Sequence, residues 1–198
     1  MKKIVLATQN RHKFKEIREA FKDTLFEILP AFQFPNIQEV VEDGKNLEEN
    51  SLKKAKAILE ATGLPAMADD TGLFVDALNG EPGIYAARFA GEGCTYEDNV
   101  RKLLTLMKGV AAGSRKAVFK TVITLLFPGQ EPVFVEGEAK GTITDLPRGN
   151  RGFGYDPVFQ PEGSSKVFAE MEVEEKNKIS HRGKAIQKAV EFLKVSPS

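Results

Sequence analysis

The stretch Leu64-Pro65-Ala66-Met67-Ala68-Asp69-Asp70-Thr71-Gly72-Leu73-Phe74-Val75-Asp76-Ala77-Leu78-Asn79-Gly80 decides the reading of the fold. Ala66 to Ala68 is a short apolar lead into two adjacent carboxylates, and Thr71-Gly72 follows at once. Read alone, this is an apolar strand that ends in fixed negative charge at a sheet edge and then turns at a glycine. Leu73 to Leu78 reads as a further strand, closed by Asn79-Gly80, a strong tight-turn pair. Desolvating a charge is costly, so carboxylates placed there need a partner. A divalent metal fits, because hard cations prefer oxygen ligands. An ordinary solvated turn is the competing explanation.

Upstream, Asn46 reads as an N-cap with Glu49 as its capping-box partner. The helix behind it carries Leu52, Ala55, Ile58 and Leu59 at spacings of three and four, and Gly63 stops it. Pro30 to Lys45 is irregular and partly acidic. Before it come a strand at Thr24 to Leu29, a helix at Phe14 to Phe21 with Phe14, Ile17, Arg18 and Phe21 on one stripe, and a buried first strand at Ile4 to Ala7. Downstream, Thr95 and Asp98 cap a helix whose apolar face is Val100, Leu103, Leu104 and Met107, ended by Gly109. Lys116 to Phe127 is a long strand turned by Pro128-Gly129, and Val133 to Ala139 with Thr142 to Thr144 completes an antiparallel region. Arg148 to Tyr155 is a glycine-rich loop. Ser180 caps the last helix, with Ile186, Ala189, Val190 and Leu193 as its core stripe. Helix-linked strands around a β-rich middle predict a mixed sheet in an α/β or α+β fold.

With 198 residues, 41% of them hydrophobic, the chain suits one domain or two closely joined lobes with a substantial core. Net charge is zero and the pI is near 6.8, so no broad basic face points to nucleic acid. The single cysteine, Cys94, excludes an internal disulfide and fits a reducing compartment. The apolar part of the first residues is too short for a signal peptide, and no run approaches the roughly 20 residues of a membrane span. A soluble cytoplasmic protein is expected.

Positive charge gathers at two predicted helix starts. Arg11, His12, Lys13 and Lys15 follow Thr8-Gln9-Asn10, and Lys176, Lys178, His181 and Arg182 lie near the last helix. Cations in a first helical turn oppose the dipole by roughly 0.3–1 kcal/mol each, which suggests that an anion completes the arrangement. Side chains pointing simply into water are the plainer alternative. Together with the acidic pair the pattern has a chemical logic: cations hold a polyphosphate, carboxylates hold Mg²⁺, and a carboxylate nearby takes a proton from water. Neither a P-loop nor a dinucleotide-binding glycine fingerprint is present. In the loop before Pro157, Phe153 or Tyr155 could stack on a base and Asp156 could accept from a base edge; a hydrophobic turn with core aromatics is the alternative.

These residues lie in motifs spread along the chain: Leu6-Ala7-Thr8-Gln9-Asn10 with Lys13, Glu49-Asn50-Ser51 with Lys54 and Ala55, Ala68-Asp69-Asp70-Thr71-Gly72-Leu73, Pro82-Gly83-Ile84-Tyr85 with Arg88, Gly152-Phe153-Gly154-Tyr155-Asp156-Pro157, Glu175-Lys176-Asn177 and Ser180-His181-Arg182-Gly183. In their joint order the chain resembles the noncanonical purine nucleoside triphosphate pyrophosphatases, the inosine triphosphate pyrophosphatase family. The resemblance implies release of pyrophosphate from ITP, dITP and XTP. It implies one domain over residues 1–198 with an elongated mixed sheet, two lobes around a central cleft, and a homodimer. It also implies residue roles. Thr8, Gln9, Asn10, Arg11, His12 and Lys13 would bind the triphosphate. Asp70 would be the catalytic base and a metal ligand, with Glu42 as the second acid at Mg²⁺; Glu39 or Asp43 is the alternative to Glu42. Thr71 would contact substrate, and Phe153, Gly154, Tyr155 and Asp156 would hold base and sugar. Lys176, His181 and Arg182 would read the purine and its 6-oxo group, with Lys54 and Asp69 in support. Gln9 stands where the family usually has glycine, so either its backbone is ordinary here or the phosphate loop is altered.

A donor beside the 6-oxo group would favour inosine and xanthine over adenine, since adenine would leave that donor unpaired at a cost of roughly 1–3 kcal/mol. Two other readings compete with the hydrolase: a nucleotide-binding sensor without turnover, and a pyrophosphatase for pyrimidine or modified bases.

Overall fold

The computed structural model describes residues 2–37 and 40–195. In chain order the elements are β1 (Lys2–Leu6), α1 (Arg11–Ala20), β2 (Phe26–Pro30), α2 (Leu47–Thr62), β3 (Ala66–Val75), β4 (Pro82–Gly83), α3 (Tyr96–Leu106), β5 (Lys116–Leu126), β6 (Val133–Ile143), β7 (Phe159–Pro161), α4 (Val173–Ile179) and α5 (His181–Val195). The strands form one mixed sheet in the order β2-β1-β3-β5-β6-β7, with β4 on β3. β1 runs parallel to β2, opposing Ile4 to Ile28, and parallel to β3, opposing Leu6 to Met67. β4 on β3 and β7 on β6 are antiparallel. Parallel neighbours need crossover connections, and α1 and α2 supply them. The mixed α/β class expected from the order of elements is what the chain adopts.

The chain divides into two compact units. The first comprises Met1–Asp70, Thr121–Gly137 and Lys184–Ser198; the second comprises Thr71–Lys120 and Glu138–Gly183. In the first unit Ile4 to Leu6 of β1 and the start of β3 are buried on both faces. Ile4, Leu6, Met67, Ile123 and Leu125 pack with Ile17 and Phe21 of α1 and Ile186, Ala189 and Leu193 of α5. Val5, Ala66, Ala68 and Leu126 pack with Ala55 and Ile58 of α2. Strands covered on both sides read as unbroken apolar runs, which is why Ile4, Val5 and Leu6 are all buried. The core of the second unit gathers Leu73, Val75, Leu103, Met107, Phe119, Tyr155, Phe159 and Phe168. Arg115 is buried beside it and donates to the carbonyls of Ile143 (2.6 Å), Met107 (3.0 Å) and Thr144 (2.9 Å), tying the end of α3 to the end of β6.

Several local expectations change. The acidic pair does not end a strand at a sheet edge: β3 continues through it to Val75 and lies between β1 and β5. Thr71-Gly72 is strand, not turn. Gly72 is there for close approach, because a Cβ on it would stand 2.8 Å from the Gly83 carbonyl oxygen of β4. Of the stretch Leu73 to Leu78, Leu73 to Val75 is the end of β3 and Asp76–Leu78 is a single 3₁₀ turn. β6 is one strand rather than two segments. α1 begins at Arg11 instead of Phe14, because the Asn10 side chain caps it by accepting from the backbone N–H groups of His12 (2.9 Å) and Lys13 (3.2 Å).

Other end signals hold. Asn46 accepts from the Glu49 N–H at 2.8 Å, although the Glu49 carboxylate accepts from the N–H of Lys45, one residue before the expected position. Thr95 and Asp98 form a complete capping box, and Ser180 accepts from the Gly183 N–H at 3.0 Å. Lys176 and Lys178 do not start the last helix. They lie in the last turn of the separate α4, where cations suit the dipole. Among the described residues no helix is long and apolar enough to cross a membrane.

Candidate active site

Successive side chains on a strand point to opposite faces. Met67 of β3 packs on the α1 side, while Ala66 and Ala68 pack on the α2 side. The same alternation carries into the acids. Asp69 follows Met67 and meets the Lys13 ammonium of α1 at 2.9 Å. Asp70 follows Ala68 and meets the Lys54 ammonium of α2 at 2.8 Å. The two carboxylates thus have lysine partners, one per face, where the sequence suggested a shared metal. Lys13, the cation that opposes the α1 dipole, is compensated by the protein's own Asp69, so that part of the missing anion is already present.

Lys54 is the hub of the α2 side. Its ammonium donates to Asp70 Oδ1 (2.8 Å), Glu42 Oε1 (2.9 Å) and the carbonyl of Asp69 (2.7 Å), which uses all three of its donors. The other oxygen of Asp70 accepts from Asn50 Nδ2 at 3.3 Å, and Asn50 Oδ1 accepts from the Gly44 N–H at 2.8 Å. Asn50 is fully buried and braces the loop that carries Glu42 against the carboxylate. A Cβ on Gly44 would stand 2.5 Å from Asn50 Oδ1, so glycine permits that approach. Asn50 was quoted in a motif but given no role. Its signal was a polar residue on the apolar face of α2, one turn before Lys54. Asp43, the alternative acid, pairs with Lys53 at the surface; Glu39 lies outside the described residues.

Asp69, Asp70 and Glu42 are drawn together with Lys13 and Lys54 in the first unit. Burial pushes the Asp70 carboxyl above the ordinary range, outweighing the pull of Lys54. Burial works against the Lys54 charge, but Asp70, Asp69 and Glu42 together overcome it and hold the ammonium above its usual value. Before α1, Thr8 Oγ1 accepts from the Asn10 N–H at 3.1 Å, and Arg11 and His12 are exposed in the first turn. Among non-glycine described residues only Asn79 has a positive φ, so Gln9 is unstrained and its backbone is ordinary.

The second unit holds a separate polar cluster. Lys176, on α4, donates to Asp156 Oδ2 at 2.6 Å, and the same oxygen accepts from the Phe153 N–H at 2.9 Å. Gly152, at φ +73°, sits so close that a Cβ would meet that oxygen at 2.0 Å. His181 and Arg182 occupy the first turn of α5 and are both buried. The His181 ring stacks on Phe119 at 4.3 Å, and Arg182 reaches Thr71 Oγ1 at 3.4 Å. The Arg182 guanidinium and the Lys176 ammonium lie 5.1 and 5.4 Å from the centre of the Phe153 ring. Tyr155 is not available to a base. It is buried in the core, its hydroxyl donates to the Ala86 carbonyl at 2.9 Å, and burial pushes the phenol well above its ordinary value. Phe153, half-buried in the same loop, is the ring left for stacking.

Asp70 and Glu42 fit a magnesium ion in donor chemistry. Both are hard oxygen donors, and both address one ammonium, so the two carboxylates converge on a single point. Among the described residues no group of three or more His, Cys, Asp or Glu is placed to hold a metal. Two carboxylates suit Mg²⁺, which commonly keeps waters and takes its other ligands from substrate phosphates.

The protein is of the mixed α/β class, with buried carboxylates and lysines around β3 and a cluster of cations around the Phe153 ring. More specifically, the chain belongs to the Ham1 family, whose model matches residues 4–192. It is similar to a dITP/XTP pyrophosphatase of Thermoanaerobacter pseudethanolicus, 48% identical over 191 residues and 96% of each chain. A solved Ham1 protein from Coxiella burnetii superposes with a TM-score of 0.91 at 36% identity, covering 99% of this chain and 100% of that one. The Ham1 protein of Staphylococcus aureus gives 0.87 at 38% identity, covering 98% of both chains. The resemblance read from the motifs is upheld over nearly the whole length.

Proposed function

We propose that this protein is a nucleoside triphosphate pyrophosphatase that hydrolyses noncanonical purine nucleotides, namely ITP, dITP and XTP, to the monophosphate and pyrophosphate. The observation that carries the reading is the convergence of Asp70 and Glu42 on the Lys54 ammonium, at 2.8 and 2.9 Å. The names of the similar proteins support the substrate class.

Asp70 is the general base. Burial raises its proton affinity, which makes it better suited to take a proton from water near neutral pH. Asn50 holds one of its oxygens and Lys54 the other, so the carboxylate is oriented before substrate arrives. Lys13 and the N-terminus of α1, with Thr8 and Asn10, hold phosphate oxygens. Asp70 and Glu42 would hold Mg²⁺, which would supply charge neutralisation on the phosphates when bound. In the second unit Phe153 stacks on the base, and Lys176, His181 and Arg182 supply donors toward its 6-oxo edge. Asp156 keeps Lys176 and the Phe153 backbone in place.

The test is a panel of ITP, XTP, GTP, ATP, dUTP and dTTP with Mg²⁺ and identification of products. Pyrophosphate from ITP and XTP well above the rest is expected. Inorganic phosphate as the primary product, or equal rates for all six, would overturn the proposal. No turnover with intact nucleotide binding would establish the sensor instead.

A further inference from the structure

We propose that Tyr96 widens the aromatic surface of Phe153 and thereby favours bicyclic bases over monocyclic ones. The inference rests on the reading that Phe153 stacks on the base. Tyr96 is the first residue of α3, and its ring centre lies 5.8 Å from that of Phe153, tilted by 40°. Both rings are held. Thr95 and Asp98 exchange hydrogen bonds of 3.0 and 3.1 Å that fix the start of α3 and with it Tyr96. Phe153 is fixed by its N–H to Asp156 and by the cations of Lys176 and Arg182 at its ring.

Tyr96 is 41% exposed and lies outside the core cluster of the second unit. The two rings are partly exposed and touch at a 40° tilt, so a ligand stacked on Phe153 that extends past the edge of that ring would meet Tyr96. The chemistry needs such a contact. A donor at the 6-oxo edge distinguishes inosine from adenine, but it donates to the O4 of uracil or thymine equally well. Hydrogen bonding at that edge therefore does not exclude pyrimidines, and ring size does. A fused purine spans both aromatic rings; a pyrimidine over Phe153 gains nothing from Tyr96.

The experiment compares the unsubstituted protein with Tyr96→Ala and Tyr96→Phe. Calorimetric titration uses inosine monophosphate, dUMP and pyrophosphate as probes, and steady-state kinetics uses ITP and dUTP. For Tyr96→Ala, inosine monophosphate should bind about fivefold or more weakly, the low end for losing a stacking partner. Binding of dUMP and pyrophosphate should stay unchanged, KM for ITP should rise with kcat kept, and Tyr96→Phe should behave like the original. Equal weakening of inosine monophosphate and dUMP, parallel weakening of pyrophosphate, or no change for inosine monophosphate would each overturn the inference. Failure of the original protein to bind inosine monophosphate would do so too. If it binds that probe through Tyr96 yet hydrolyses nothing, the stacking surface stands and the hydrolase reading falls.

Discussion

Asp69 and Asp70 are joined by a peptide bond, yet their carboxylates meet different lysines, Lys13 at 2.9 Å and Lys54 at 2.8 Å, on opposite faces of β3. Mutations of the two should therefore act on different kinetic constants. Asp70→Asn removes the base and should lower kcat by about 10²–10⁴-fold with nucleotide binding still measurable by calorimetry. Asp69→Asn releases Lys13 from its partner and should act chiefly on KM. Equal losses of kcat in both variants would refute this division of labour.

Asp70 should also weigh on the fold. Its carboxyl is pushed up by burial, so between the unfolded value near 3.8 and the raised native one the folded state binds more protons than the unfolded. The stability it contributes is present at low pH and is lost as pH rises through that window. Without metal, at pH 7, Asp70→Asn should be more stable than the original, because it removes the cost of ionising a buried carboxyl. Lys54 keeps Glu42 and the Asp69 carbonyl as partners in that variant. Thermal melts in chelator from pH 3 to 8 check this: the two curves should converge at the acid end, and a gap that widens there would contradict the sign.

Asn50→Leu should cost about 1–3 kcal/mol for the buried groups left unpaired, since both Asp70 and the Gly44 N–H lose a partner. Turnover should fall with it. Gly44→Ala should reduce turnover as well, by pushing the loop that carries Glu42 away from Asn50. Urea denaturation alongside kcat measurements tests both variants; full activity in either would show that the brace is dispensable.

Arg115 should matter for stability and not for chemistry. Arg115→Lys places one ammonium where a guanidinium fork serves four carbonyls, those of Ile143, Met107, Val110 and Thr144, and should lose about 2 kcal/mol or more. The denaturation midpoint should drop while KM and kcat stay near their original values. A lysine variant of undiminished stability would show that the fork geometry is not needed.

Gly152→Ala should damage the base side alone. The position has φ +73°, and the added Cβ would collide with Asp156 Oδ2 and disturb its contacts with Lys176 and the Phe153 N–H. Inosine monophosphate binding should weaken, while pyrophosphate binding should be retained. Loss of both would show a wider collapse.

The helices with end signals were legible in the sequence. Asn46, Thr95 and Ser180 act at close range on their own backbone, so a few residues suffice to predict them. The place of the two acids inside β3, and not at its end, was not legible, and adjacency in sequence does not show that pleating sends them to different lysines. The continuation of β3 through Gly72 depends on β4 approaching it, a tertiary fact with no local mark. In the loop before Pro157 the aromatic types were visible, but only packing distinguishes Tyr155, turned into the core, from Phe153. The roles of Asn50 and Tyr96 have no local mark, because each is defined by what it touches: Asp70 across 20 residues, and Phe153 within the second unit.

The alternation along β3 makes its acids sensitive to parity. Inserting one residue between Met67 and Asp69 would exchange their faces, handing the base to Lys13 and its neighbour to Lys54, whereas inserting two would restore the assignment at a shifted height. Laboratory evolution or design on this scaffold should therefore tolerate length changes in that strand in even steps and reject them in odd ones.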